Sequence, residues 1–338
     1  MMLASKHMDI KKNGVLVTGA NGWIGREVCR SLKAQGCFVV ACDIEEQSGE
    51  WDCFIRIDLN DDLIASINES QKILEEASEW SLIHCAGYAH RPIETPEEVN
   101  RFYAINEGGT KKVIAWCRLL GVERIVYISS IAFYDWDAFS ERTALSENAP
   151  LLGTTAYADS KLKGELCVRD SGLDYRVVRL ATVFGKGDRA NFAKLAKALK
   201  ANNFIVPGTG DARKSVISVN RAAGWIGQLA LIPEPAYRLI NLGFLQASTL
   251  GEICQAFSDQ CGFPQSRRAP LWFLRFAAFA GDLIAKIKPN FPLTSVNVRK
   301  LTRSSCVDCS RAAEVFPELS KVSFADELKN ASEYYRNL

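Results

Sequence analysis

The sequence predicts an α/β fold, a doubly wound parallel sheet with a smaller C-terminal lobe. Three observations predict it. A glycine-rich turn (Gly19, Gly22, Gly25) separates a short apolar run from a helical pattern. Short apolar stretches then alternate with helical ones as far as residue 180, the order that builds a parallel sheet covered on both faces. An acidic residue, Asp43, closes the second strand eighteen residues after Gly25.

Each element has its own signal. Val15, Leu16 and Val17 suit a buried parallel strand, and the helical pattern after the turn runs to Leu32 and is ended by Gly36. The spacing is GxxGxxG rather than the common GxGxxG of dinucleotide sites. Glycines there let the backbone turn sharply and approach a pyrophosphate on the helix N-terminus. Gly19, Asn21, Gly22, Trp23, Ile24 and Gly25 are therefore the candidate cofactor cradle. "CFVVACD" ends on Asp43, whose carboxylate can accept from both ribose hydroxyls and would repel a 2′-phosphate. Ile44, Glu45 and Glu46 come next, with no arginine, so NAD(H) is favoured while NADP(H) stays open.

A third strand, "FIRID", ends on Asp58 with Leu59 next. Asp58 is a candidate for the adenine amino group, and an ordinary strand-end or helix-capping role is its equal alternative. "SLIHCAG" (81–87) reads as a fourth strand whose small end, Cys85, Ala86 and Gly87, would let a cofactor slide past. A helical region over 96–120 carries Asn106; "RIVYISS" (124–130) and "YRVVRL" (175–180) are two further strands, and a helix between them holds "TAYADSKLKGE". In that stretch Tyr157 and Lys161 lie four residues apart, on one helix face. A cation beside a phenol favours the phenolate and makes it a usable acid or base. A solvated helix face gives the same spacing. The parallel sheet decides between them, because the glycine turn, Asp43, Ala86, Ser130 and Tyr157 all fall along its C-terminal edge.

Together these residues resemble the extended short-chain dehydrogenase/reductases, in particular their NAD-dependent sugar-nucleotide epimerase, dehydratase and 4-ketoreductase branch. TGANGWIG fits the family's TGxxGxxG, INEGGT its NxxGT at Asn106, and YADSK its YxxxK; RLATVFGKGD is similar to RPxxVYGPGD. VPGTGDARKSVISVNRAAGWI is similar to the segment that holds a nucleotide diphosphate and returns to the sheet. The resemblance implies a Rossmann-type cofactor domain over 13–185, rejoined by 218–244. It implies a substrate-binding lobe from 186–217 and 245–338. It also implies Tyr157 as acid/base, Lys161 on the ribose, Ser130 on the reacting oxygen, and Asn106 ordering a proton relay or the helix behind it. Ser129 is then a strand-end residue. Substrate candidates are His90, Ser130, Asn191, Arg213 and Arg303, whereas His84, inside a strand, is expected to be packed. Ala181 in place of proline, Asn220–Arg221 in place of an acidic return segment, and the pair Arg213–Lys214 depart from the family pattern.

The two residues after Ser130 narrow the reaction. Elimination and decarboxylation in this family need an acid next to the catalytic hydroxyl, and inversion at carbons 3 and 5 needs a cysteine there; this chain has Ile131 and Ala132. Hydride transfer at C4 of a nucleotide sugar remains, as a 4-epimerase or a 4-ketoreductase, with Tyr157 moving the proton. The alternative is a hydroxysteroid- or flavonoid-type dehydrogenase acting on an apolar alcohol. A cofactor-sensing binding protein is disfavoured by the intact Ser130, Tyr157 and Lys161.

Composition sets the remaining bounds. The 338 residues carry a net charge of +2 with no long basic or acidic block, which gives no reason to expect nucleic acid as a partner. Eleven cysteines are scattered, and the CxxC of Cys306 and Cys309 has no second pair or nearby histidine, so no metal and a reducing, cytoplasmic setting are expected. Residues 1–12 lack an apolar run and read as a disordered lead-in. The apolar stretch 270–287 is interrupted by Arg275, Asp282 and Lys286, which argues for a buried or amphipathic helix over a membrane contact, with surface docking as the alternative. The family resemblance further implies a homodimer paired through the helices of Asn106 and Tyr157.

Overall fold

The computed structural model describes residues 12–89, 95–138, 143–288, 291 and 293–338. Its centre is a seven-stranded parallel sheet of order β11-β6-β5-β4-β1-β2-β3. The strands are β1 (Asn13–Thr18), β2 (Phe38–Asp43), β3 (Cys53–Arg56), β4 (Glu79–His84), β5 (Arg124–Ser130), β6 (Asp174–Leu180) and β11 (Leu239–Leu242). In register, Val15 lies beside Val39 and Leu16 beside Leu82. Gly14 to Thr18 are all buried, as a central strand covered on both faces requires.

Helix α1 (Trp23–Ala34) buries Gly25, Val28, Cys29 and Leu32, a stripe at the spacing that turns one helix face inward. Helix α2 (Ile67–Leu74) leads to β4. The helical region expected over 96–120 has three parts: α3 (Pro96–Tyr103), a π-helical turn at Ala104–Gly109, and α4 (Thr110–Leu120), which Gly121 ends at φ 71°. The widened turn falls on Asn106, and such insertions mark places where a helix yields to a local requirement. Two strands are shorter than expected: β4 stops at His84, and β3 stops at Arg56. Past His84 the ladder to β1 has one further rung, Cys85 N–H donating to the Thr18 carbonyl, and Tyr88 N–H then turns to the side chain of Asn106.

The chain divides into two compact units. One holds the described residues up to Ile128, with Asp159–Val177 and Ala223–Pro235. The other holds Ser129–Ala158, Val178–Ala222 and Ala236–Leu338. Helix α5 (Ala156–Arg169) carries residues of both. The second unit contains α6 (Asn191–Lys200) and three two-stranded sheets. These pair β7 (Thr182–Phe184) with β10 (Val216–Ser218), β8 (Ile205–Pro207) with β13 (Arg267–Ala269), and β9 (Arg213–Lys214) with β12 (Ser248–Thr249). Helix α7 (Val219–Leu231) comes directly after β10. Phe184 and Phe324 meet at 4.8 Å between ring centres, and Phe257 and Tyr335 at 5.2 Å, which joins α8 (Leu250–Cys261) to α12 (Phe324–Arg336).

The stretch 270–287 forms α9 (Leu271–Ala285), followed by α10 (Ser295–Thr302) and α11 (Ser310–Val315). It is amphipathic in an inverted sense: α9 buries Leu274, Ala278 and Gly281 and leaves its aromatic residues in water. Of the two expected forms, buried or amphipathic, the helix takes the amphipathic one. A small-residue stripe is what fits, because a Cβ on Gly281 would collide with the Leu293 carbonyl. Among the described residues no helix is long and apolar enough to cross a membrane.

Candidate active site

The glycine turn is built by close approach. Gly19 has φ 70°, and a Cβ there would lie 2.6 Å from the Ala86 backbone; a Cβ on Gly25 would overlap the Gly19 carbonyl. Gly22 caps α1 without any side-chain hydrogen bond, and the helix's first turn has no acidic residue. The positive end of the helix dipole at this turn suits an anion. Trp23 and Ile24 open the helix, half-buried. Asn21 donates its backbone N–H to Asp43 Oδ2 at 2.8 Å, and Ile44 N–H donates to Asp43 Oδ1 at 2.8 Å. The carboxylate at the end of β2 is thereby fixed beside the turn. Arg26 ties the turn to the following loop through the Asn21 carbonyl at 3.1 Å and the Ser48 carbonyl at 2.8 Å.

Asp58 spends its side chain locally: Oδ1 accepts from the backbone N–H and the Nδ2 of Asn60, both at 2.9 Å. These bonds close the turn that follows β3. Leu59 is buried, and its side chain fills the space above Gly109.

Past β4, Ala86 N–H reaches Thr18 Oγ1 at 3.5 Å. His84 is packed, with Nδ1 2.6 Å from Thr18 Oγ1 and Nε2 3.1 Å from Thr110 Oγ1. Burial, and then the nearby Lys161 ammonium, push its pKa down to about 3, so the ring is neutral at physiological pH. Asn106 is buried and acts as a clamp. Its Oδ1 accepts from Tyr88 N–H at 2.7 Å, while Nδ2 donates to the Tyr88 carbonyl at 3.0 Å and to Ser160 Oγ at 2.9 Å. Gly87 lies directly in front of this amide and the Lys161 ammonium.

Lys161 is buried at 6% exposure, donates from Nζ to the Ile128 carbonyl at 2.6 Å, and stands 4.3 Å from the centre of the Tyr127 ring. Burial brings its pKa down to about 8, against an opposing pull from Cys85 and Glu165. Burial likewise pushes the Cys85 thiol up, which makes it a poor nucleophile. One helical turn before Lys161, Tyr157 is hydrogen-bonded to Ser130. Burial raises the phenol pKa, and the Ser130 hydroxyl lowers it. Ser130 ends β5, is buried, and accepts from Ala132 N–H at 3.1 Å, so its oxygen is aimed by the short helical turn that begins at Ile131. Ser129 is also buried.

The remaining candidates are dispersed. Asn191 opens α6 and is exposed. Arg213 is exposed and lines a groove with Gly208, Gly210, Thr249, Leu271 and Ser304. Its neighbour Lys214 turns inward, donating to the Lys300 and Arg303 carbonyls at 2.9 and 2.5 Å. Burial, then the charge of Arg303, lower the Lys214 pKa to about 8. Arg303 is engaged by Asp137 at 3.0 Å and lines a second groove with Arg275 and Arg299. His90 lies outside the described residues.

One buried network has no counterpart among the residues singled out from the sequence. Arg179, 1% exposed, donates to Tyr134 Oη and to the Glu147 carbonyl, both at 2.8 Å. Tyr134 donates to Asn241 Oδ1 at 2.7 Å, and Asn241 N–H donates to Glu147 Oε1 at 2.7 Å. This network fixes the backbone that leaves Ser130. Its one sequence signal is an arginine inside an apolar strand, "YRVVRL".

Comparison with known proteins is consistent with this construction. A curated Escherichia coli O157:H7 protein, N-acetyl-alpha-D-glucosaminyl-diphospho-ditrans,octacis-undecaprenol 4-epimerase, is 21% identical over 310 residues, 88% of each chain. The dTDP-4-dehydrorhamnose reductase of Mycolicibacterium smegmatis is 24% identical over 249 residues, 72% of this chain and 66% of its own. A crystal structure of UDP-glucuronic acid 4-epimerase from Bacillus cereus in complex with NAD shares the fold, with a TM-score of 0.70 and 17% identity, covering 96% of this chain and 99% of that one. The family model for the NAD dependent epimerase/dehydratase family matches residues 15–226, and the chain belongs to that family.

Proposed function

We propose that the chain is an NAD(H)-dependent enzyme that moves hydride at C4 of a nucleotide-activated sugar, working as a 4-epimerase. The observation that carries the proposal is the Ser130–Tyr157 hydrogen bond one helical turn from a buried Lys161. The residues present fit the dinucleotide. The uncapped start of α1 suits a pyrophosphate, and Asp43, fixed by Asn21, suits an unphosphorylated ribose. When bound, the nicotinamide supplies the hydride acceptor and donor.

The chain's own groups do the rest. Lys161 has N–H donors beyond the one given to Ile128, and these hold a ribose hydroxyl while its charge favours the Tyr157 phenolate. Tyr157 removes the proton of the sugar 4-hydroxyl as hydride departs, and returns it when hydride arrives on the other face. Ser130 holds the reacting oxygen. Asn106 and Gly87 keep the loop after β4 low enough to leave room above Lys161. Neither Ile131 nor Ala132 can eliminate water, which favours an outcome of redox exchange alone.

Residues 186–217 and 245–338 form the substrate lobe in this reading, with the groove of Gly208, Gly210 and Arg213 taking the diphosphate. A 4-ketoreductase is the second reading, favoured by the Mycolicibacterium relative's name. The helices α3–α4 and α5 are the proposed pairing face of a homodimer, on which Leu119 and Leu166 are exposed.

The test is to incubate the protein with UDP- and dTDP-sugars and with a polyprenyl diphosphate sugar, measuring products and NADH absorbance. Inversion at C4 without net NADH change supports the epimerase. Stoichiometric NADH oxidation by a 4-keto sugar supports the reductase. Silence on every sugar diphosphate overturns both.

A further inference from the structure

The exposed face of α9 is the largest unpartnered apolar feature among the described side chains. Trp272 and Phe276 are each 72% exposed, Phe279 67% and Leu283 56%, and Ile287, just past the helix, 91%. At about 100° per residue these five fall within an arc of roughly 80°, opposite the buried stripe of Leu274, Ala278 and Gly281. Phe273 and Ile284 widen the face on one side; Arg275 and Lys286 border it on the other. Val296 on α10 is a further exposed apolar side chain, at 61%. A continuous face of this size is more than a soluble monomer ordinarily leaves in water.

The charge around it identifies the partner. Residues 267–303 contain eight basic side chains (Arg267, Arg268, Arg275, Lys286, Lys288, Arg299, Lys300, Arg303) and one acidic one, Asp282. Asp282 is occupied as acceptor for Ser295 N–H at 2.9 Å. Asp137 takes up Arg299 and Arg303, so the cations of α9 and the turn after it are Arg275, Lys286 and Lys288, in a chain whose net charge is only +2. An aromatic stripe edged by cations whose long stems reach sideways is the arrangement of a helix lying in a membrane interface. A second copy of the chain would fit less well, because two such faces would bring Arg275, Lys286 and Lys288 against their like.

We propose that α9 docks this protein onto an anionic lipid bilayer, its aromatic face in the acyl boundary and its bordering cations at the headgroups. The proposal is independent of the reaction catalysed. It concerns a surface helix outside the residues assigned to chemistry.

Flotation of the full chain with vesicles tests it. Vesicles of equimolar phosphatidylcholine and phosphatidylglycerol should carry the protein, and phosphatidylcholine alone should carry at least about tenfold less. The double variant Phe276→Glu/Phe279→Glu should lose at least about tenfold of the floated fraction while keeping its melting temperature and NAD binding, since both rings are already in water. The triple variant Arg275→Ser/Lys286→Ser/Lys288→Ser should abolish the preference for the anionic vesicles. A wild-type chain that stays dense with both vesicles overturns the proposal, as does a double variant that floats unchanged. Sedimentation that finds a wild-type dimer and a Phe276→Glu monomer also overturns it, because the face would then bind another copy.

Discussion

Lys161 Nζ lies 2.6 Å from the carbonyl oxygen of Ile128, a backbone acceptor on the strand that ends in Ser130. A single neutral acceptor does not compensate an ammonium taken out of water, which is why burial lowers this lysine to about pKa 8. The unfolded value is near 10.4, so between those pH values the unfolded chain holds a proton that the native chain has lost. Stability attributable to this group therefore rises with pH from about 8 to about 10, and the penalty is in full force below 8. Lys161→Met should stabilise the cofactor-free protein by on the order of 1–3 kcal/mol at pH 7 and abolish turnover. Urea denaturation at pH 7 and pH 9.5 measures it. A variant less stable than wild type at both pH values would show that the Ile128 bond outweighs the desolvation.

Tyr157 and Ser130 separate chemistry from binding. Tyr157→Phe keeps the ring in place and removes the transferable proton, so kcat should fall by about 10²- to 10⁴-fold with NAD affinity within a few-fold. Ser130→Ala should cost less, and it should move the rising limb of the pH–rate profile for sugar oxidation to higher pH. The reason for that direction is that the Ser130 bond lowers the phenol's pKa. Steady-state rates across pH 6–10 (about the range where a phenolate matters) check it, and an unmoved limb would count against Tyr157 as the titrating group.

How much of this was legible depends on range in sequence. The glycine turn, Asp43 at the end of β2 and the Tyr157–Lys161 pair are local patterns, readable because a few adjacent residues determine each. Asn106 could be found, but the π-turn around it could not, since it answers to Tyr88 and Ser160, eighteen and 54 residues away. The Arg179–Tyr134–Asn241 network joins positions up to 107 residues apart and leaves only a misplaced-looking arginine as its trace. The charges within 270–287 pointed to a buried or amphipathic helix, yet which face met water was settled by packing of Gly281 against Leu293. Composition alone could not have said that the aromatic side faces outward.

Asp43 governs cofactor choice in the proposed site. Its two oxygens already accept from Asn21 and Ile44, so it is held rigidly at the end of β2 and would face a 2′-phosphate with full negative charge. Asp43→Asn keeps the shape and removes the charge. The ratio of kcat/KM for NADP to that for NAD should rise by at least about tenfold, chiefly through KM. Parallel assays with both nucleotides measure this, and an unchanged ratio would place the ribose elsewhere.

Gly25 and Gly19 test the turn itself. A Cβ on Gly25 would occupy the place of the Gly19 carbonyl, a backbone atom that cannot swing aside as a side chain could. Gly25→Ala should therefore displace the turn, cost about 1–3 kcal/mol of stability, and weaken NAD binding by more than about tenfold. Gly19→Ala combines a positive φ of 70° with a contact 2.6 Å from the Ala86 backbone, so it should be at least as severe. Gly36 is the control: its φ is 79°, yet nothing lies within 4 Å of its would-be Cβ. Gly36→Ala should lower stability by about 1 kcal/mol through backbone strain alone and leave NAD affinity untouched. Isothermal titration with NAD and thermal melts on all three variants separate the two effects. If Gly36→Ala and Gly25→Ala weakened NAD binding equally, the turn would be acting through general stability and not through the cradle it forms at the start of α1.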